Sequence, residues 1–111
     1  MRLYETLFAI KPDLSKEEME EVIEGVKKNI FKNKGEILLI EDMGKKNLAY
    51  EVQKYKTAYY ILIYFRMDPA NVENLYKFLR YSEPIIRYIV VKLEYIPEKL
   101  KNILKKEEVK V

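Results

Sequence analysis

The chain has 111 residues, 49% of them hydrophobic and 35% charged, with a net charge of +3 and neither cysteine nor histidine. That is enough apolar material for one independently folding core, and too much, too evenly spread, for intrinsic disorder. Without cysteine there is no disulfide framework, thiolate nucleophile or sulfur-ligated zinc site, and without histidine the commonest general base is missing, so the composition points away from an enzyme.

The charge is unevenly spread. Residues 1–44 carry 7 basic and 10 acidic side chains, whereas residues 45–111 carry 14 and 8, so the balance moves from −3 to +6 along the chain. Such asymmetry suits a polyanionic partner, or else a solvated lysine-rich face. No apolar run approaches the roughly 20 residues that span a bilayer, and no basic-then-apolar leader opens the chain. The default expectation is a cytoplasmic protein with no membrane partner.

Residues 2–10 are aromatic and aliphatic without a helical period, and Lys11-Pro12-Asp13 follows as a stop, which predicts a first strand. Ser15 stands three residues before Glu18, the spacing of a capping box, and Leu14 and Met19 are placed for a hydrophobic staple. A helix is therefore expected from Lys16, with Met19, Val22, Ile23, Val26 and Ile30 on its buried face and its end near Asn33. Gly35 is read as the left-handed residue that stops it.

Residues 36–43 form a second apolar run closed by Gly44, and residues 57–67 have the β-branched and aromatic richness of a third strand. The segment between them can extend the same hairpin. Asp68-Pro69 reads as an N-cap followed by proline in the first turn. Val72, Leu75, Tyr76 and Leu79 then mark one buried face of a helix ending before Pro84. Residues 85–95 read as a fourth strand, and Pro97 opens a lysine-rich tail. The expected organisation is one domain over residues 1–95 and a C-terminal tail over 96–111.

The order β-α-β-β-α-β predicts an α+β, ferredoxin-like sandwich: a four-stranded antiparallel sheet with two helices on one face. Strand alternation assigns Tyr4, Thr6, Phe8, Ile10, Tyr59, Ile61, Ile63, Phe65, Tyr88 and Val90 to the helix side. Leu3, Leu7, Tyr60, Leu62, Tyr64, Ile89 and Val91 fall on the other side. Two helices cover only one side, so these seven residues are candidates for a protein interface. The alternative is that the tail folds back, since Leu100, Ile103 and Leu104 would line one side of a short helix.

The chemistry that this fold hosts elsewhere finds little support. Glycine occurs only at positions 25, 35 and 44, so no phosphate-cradling glycine loop exists. Glu17, Glu18, Glu20, Glu21 and Glu24 make an acidic helix surface without loop oxygens to fix a cation. An acylphosphatase-like reaction needs an arginine-containing phosphate loop after the first strand, which Lys11-Pro12-Asp13-Leu14 does not supply. No metal, cofactor or small-molecule substrate is therefore expected. The RNA-recognition motif shares the element order, but Lys56-Thr57-Ala58-Tyr59 lacks its glycine-aromatic step. Tyr4, Tyr60 and Tyr64 can stack on bases or pack within the sheet.

Three segments together resemble ribosomal protein six of the bacterial small subunit. They are Met1-Arg2-Leu3-Tyr4-Glu5, the stretch Gly44-Lys45-Lys46-Asn47-Leu48-Ala49-Tyr50 with Lys54, and Ile85-Ile86-Arg87-Tyr88-Ile89-Val90-Val91-Lys92. Three positions depart from the family's pattern: Glu51 replaces a common proline, Ala58 a usual glycine and Asn47 an often basic residue. The resemblance implies a non-catalytic component of the ribosome that joins ribosomal protein eighteen and binds the central domain of 16S ribosomal RNA. It makes Arg2, Lys45, Lys46, Tyr50, Lys54, Arg87 and Lys92 the candidate RNA contacts. A stand-alone binder of single-stranded RNA is the alternative function, with a self-associating small-molecule sensor as a third.

Overall fold

Ser15 starts the first helix with a complete capping box: its hydroxyl accepts from the Glu18 backbone N–H at 3.1 Å, and the Glu18 carboxylate accepts from the Ser15 N–H at 3.0 Å. Two otherwise unpaired backbone donors are satisfied at once. Hydrogen bonding from Ser15, its backbone N–H first and then its side chain, holds the Glu18 carboxyl below its ordinary pKa. The computed structural model describes residues 1–109, with side chains as far as residue 104. Its elements are β1 (Arg2–Ile10), α1 (Lys16–Lys32), β2 (Glu36–Val52), β3 (Tyr55–Met67), a 3-10 turn (Pro69–Asn71), α2 (Val72–Tyr81), β4 (Ile85–Lys92) and α3 (Glu98–Val109).

The strands form one antiparallel sheet in the order β2-β3-β1-β4, the ferredoxin-like arrangement. Phe8, Ile10, Ile61, Ile63 and Phe65 point to one side of it. There they form one core cluster with Val26 and Ile30 of α1 and Leu75 and Leu79 of α2, all fully buried or nearly so. Tyr4 stacks on Phe65 with ring centroids 5.6 Å apart, an offset contact that adds to simple burial. Thr6 is the buried polar residue of this layer; its hydroxyl donates to the Ile89 carbonyl at 2.8 Å, so no desolvated group is left unpaired.

Three local readings of the sequence need correction. The left-handed residue after α1 is Lys34, at φ 62°, rather than Gly35. The Gly35 N–H donates to the Ile30 carbonyl at 2.8 Å and the Lys34 N–H to the Phe31 carbonyl at 2.9 Å, the paired bonds of a Schellman motif. Gly35 is needed for space instead: a Cβ there would lie 2.7 Å from Ile30 Cγ2 and 2.8 Å from Met67 Cε. Gly44 does not close β2 but sits in a bulge inside it, at φ 76°, with its N–H donating to Asp42 Oδ1 at 2.9 Å. Finally, β4 stops at Lys92 rather than residue 95. Leu93 still donates to the Leu3 carbonyl at 2.9 Å, but a bend at Glu94 and Tyr95 turns the chain away before Pro97.

The segment expected as a tail contains α3, which lies on the side of the sheet opposite α1 and α2. Fully buried Leu100 joins Leu62 and Tyr64 in one apolar cluster, with Leu3, Leu7, Leu38, Leu39, Leu93, Ile103 and Leu104 packed around it. Residues 110 and 111 of the tail lie outside the described residues.

Candidate nucleic-acid and protein interface

Beyond Gly44 the β2–β3 hairpin continues past the body of the sheet. Lys45 stands across from Tyr59, Lys46 from Ala58, and Asn47 from Thr57, until Val52 pairs with Tyr55. The chain reverses through Gln53 and Lys54, at φ 49° and 76°, the positive-φ pattern of a two-residue turn matched to strand twist. The hairpin is tied down along its length. Leu48, Val52 and Tyr55 pack on buried Ala9, Ala58 and Ile86, and the Tyr55 hydroxyl donates to Asp13 Oδ2 at 3.1 Å.

This anchoring carries Tyr50 across to β4, where its ring lies 5.3 Å from the guanidinium carbon of Arg87. A cation over an aromatic face at an exposed site gains about 0.5–1 kcal/mol, which restricts the arginine without neutralising it. Among the described residues, no carboxylate pairs with Lys45, Lys46, Lys54 or Arg87. Their charge is available to an outside anion. Beside Arg87, a shallow depression of 240 Å³ is lined by Leu7, Ala9, Tyr60, Tyr88 and Ile89.

Arg2 and Lys92 occupy the other end of the sheet. Arg87 is in register with Ala9 and Lys92 with Tyr4, five residues apart on β1, or about 16 Å at the strand rise. Lys92 Nζ also lies 3.7 Å from Glu94 Oε1. The seven predicted contacts thus divide into a hairpin-end group of Lys45, Lys46, Tyr50, Lys54 and Arg87 and a distant pair, Arg2 and Lys92; all seven are exposed.

The seven apolar candidates do share one face. Strand register sets Ile89, Leu7 and Leu62 in one row and Val91, Glu5 and Tyr64 in the next. They differ in cover. Leu3, Leu7, Leu62 and Tyr64 belong to the cluster under α3, Tyr60 packs at the edge of the hairpin cluster, and Ile89 and Val91 remain exposed at 51% and 39%. α3 therefore covers four of these seven candidates.

Sequence reading missed Leu38 and Leu39 as part of that face. Strict alternation sends adjacent residues to opposite sides, but the register shift between Ile37 and Leu39 lets both leucines join the α3 cluster while Ile37 and Ile40 pack on the helix-side core. Next to them, Lys99 Nζ meets Glu41 Oε1 at 2.8 Å. That hydrogen bond raises the lysine's pKa above its ordinary value, and burial, helped by Glu5, raises that of the Tyr64 phenol.

The family model described as Ribosomal protein S6 matches residues 3–92. The chain belongs to the ribosomal protein S6 family. Small ribosomal subunit protein bS6 of Helicobacter pylori is 44% identical over 94 residues, which are 85% of this chain and 66% of that protein. The chain thus spans just under two thirds of the length of this relative. The bS6 protein of Moorella thermoacetica is 39% identical over 94 residues, covering 85% of this chain and 96% of that one.

The crystal structure of 30S ribosomal protein S6 from Thermotoga maritima superposes with a TM-score of 0.79 at 37% identity, covering 98% of this chain and 95% of that chain. The C-terminal domain of MgtC from Mycobacterium tuberculosis, at TM-score 0.60 and 13% identity, shares the fold alone. The S6 family match includes the hairpin-end basic group, Lys92 and the whole open sheet face, whereas Arg2 precedes it and α3 lies beyond residue 92.

Proposed function

We propose that this S6-family chain is a structural constituent of the bacterial small ribosomal subunit that binds the central domain of 16S ribosomal RNA together with ribosomal protein eighteen. The observation that carries the reading is the hairpin end of the sheet, where Arg87 is held against Tyr50 and Lys45, Lys46 and Lys54 lack carboxylate partners among the described residues. An arginine on a sheet strand, steadied by an aromatic ring, can take a phosphate bidentately with little loss of freedom. The lysines supply sequence-independent attraction. The exposed apolar side chains of β4, Ile89 and Val91, begin the surface offered to the protein partner.

Charge arithmetic makes the two functions depend on each other. A chain of net charge +3, with its basic candidates in two groups, neutralises few phosphates, so its own affinity for RNA fades at physiological salt. A basic protein seated on the sheet joins two RNA footprints in one rigid body and raises affinity without a new contact from this chain. The test is a titration of a central-domain RNA fragment at near-physiological salt with each protein alone and both premixed. Weak binding alone and at least about tenfold tighter binding together is expected. Tight binding by this chain alone, unchanged by ribosomal protein eighteen, overturns the cooperative reading in favour of a stand-alone single-stranded RNA binder.

A further inference from the structure

We infer that α3 is a detachable cover over part of the protein-binding surface, and that the partner displaces it to reach the leucine-rich face beneath. The inference rests on the protein partnership proposed above. Its first support is area. A stable interface takes roughly 800 Å² from each partner, and of the seven apolar candidates only Tyr60, Ile89 and Val91 lie clear of the α3 cluster. The same face continues, with Glu5 as a polar interruption between Val91 and Tyr64, through Leu7, Leu62, Leu3, Leu38 and Leu39, all under or beside α3.

The exposed residues of α3 do not extend this apolar surface, since Glu98, Lys99, Lys101 and Asn102 are charged or polar. A basic partner finds lysines on the helix but leucines beneath it. The attachment is also slight. Leu100 is fully buried, but Ile103 and Leu104 are only partly so. Among the described residues, one ion pair, between half-exposed Lys99 and partly buried Glu41, joins α3 to the sheet, and no backbone hydrogen bond does so. The helix can leave without opening a strand. The cover lowers the partner's apparent affinity by the fraction of time the face is open, so a face open about a tenth of the time binds about tenfold more weakly than a bare one.

Because the native chain has no cysteine, the helix can be tethered at one chosen place. The variant Glu41→Cys/Lys99→Cys is joined by a short bifunctional thiol reagent, and its control carries a monofunctional reagent at both thiols. Binding of purified ribosomal protein eighteen is measured for both, with Leu100→Asp as a third protein whose helix is released. The tethered form is expected to bind at least about tenfold more weakly than its control, and Leu100→Asp at least as tightly as the native chain. On adding the partner to the native chain, amide exchange across residues 98–104 is expected to quicken. Equal binding by tethered and control forms, or slower exchange in α3 on binding, overturns displacement while leaving the partnership intact. Absence of binding by the native chain removes the partnership and the inference together.

Discussion

The Arg87 guanidinium lies 5.3 Å from the centre of the Tyr50 ring, joining two residues from opposite edges of the sheet, β2 and β4. The contact exists because the hairpin beyond Gly44 packs back on Ala9, Ala58 and Ile86. Removing the ring with Tyr50→Ala is therefore expected to weaken RNA binding through Arg87, while Tyr50→Phe, which keeps the aromatic face, has little effect. Arg87→Ala is expected to lower affinity by about 1–3 kcal/mol, and more than Lys28→Ala on exposed α1. Filter-binding or fluorescence titrations with the premixed partner measure both differences. Equal small losses at Arg87 and Lys28 would mean diffuse attraction rather than a defined contact.

Two carboxylate substitutions on neighbouring parts of β3 separate the two faces of the sheet. Leu62 faces α3, so Leu62→Asp is expected to loosen that helix, admit water to the new charge and cost about 1–3 kcal/mol. Phe65 is fully buried against the opposite core, where no single helix can move aside, and Phe65→Asp is expected to cost more than about 4 kcal/mol. Urea melts give the comparison. Greater loss from Leu62→Asp would reverse the relation between the faces.

At the end of α1, Lys34 holds a left-handed conformation that glycine adopts without strain. Lys34→Gly is expected to stabilise the protein by about 1 kcal/mol. Gly35→Ala should act in the opposite sense, costing about 1–3 kcal/mol, since its methyl meets Ile30 and Met67. Parallel shifts in urea midpoint with unchanged slope are the signature. A stabilising Gly35→Ala would disprove the spatial constraint.

The docking of α3 should weaken in alkali. Burial raises the Tyr64 pKa, and the hydrogen bond to Glu41 raises that of Lys99. A group with a raised folded pKa contributes stability that is fully present below its unfolded pKa and disappears as pH rises through the folded one. Both contributions therefore persist through neutral pH and are lost above the ordinary tyrosine and lysine range. Methyl resonances of Leu100 followed by NMR should shift as α3 leaves, and Tyr64→Phe should move that transition to higher pH. An unchanged transition in Tyr64→Phe would show that the phenol has no part in it.

Much of this architecture was legible locally. The capping box at Ser15 and Glu18 set the start of α1, because its hydrogen bonds close within four residues. Alternation separated Phe8, Ile61 and Phe65 from Leu7, Leu62 and Tyr64, because successive strand side chains point to opposite faces. The family resemblance was likewise carried by short segments, and residues 3–92 bear it out.

What the tertiary structure decided was non-local. Leu38 and Leu39 share a face only because β2 bulges against β3, and Lys34 takes the left-handed position of the Schellman turn while Gly35 packs beside Ile30 and Met67. The basic candidates divide between two ends of the sheet because antiparallel pairing sets Lys92 opposite Tyr4 and Arg87 opposite Ala9. The tail contained apolar residues at helical spacing, which made either folding back or an external partner possible. Only the packed chain brings Leu100 onto Leu62 and Tyr64, because burying an apolar face depends on which surface lies within reach, and the residues that supply that surface are far away in sequence.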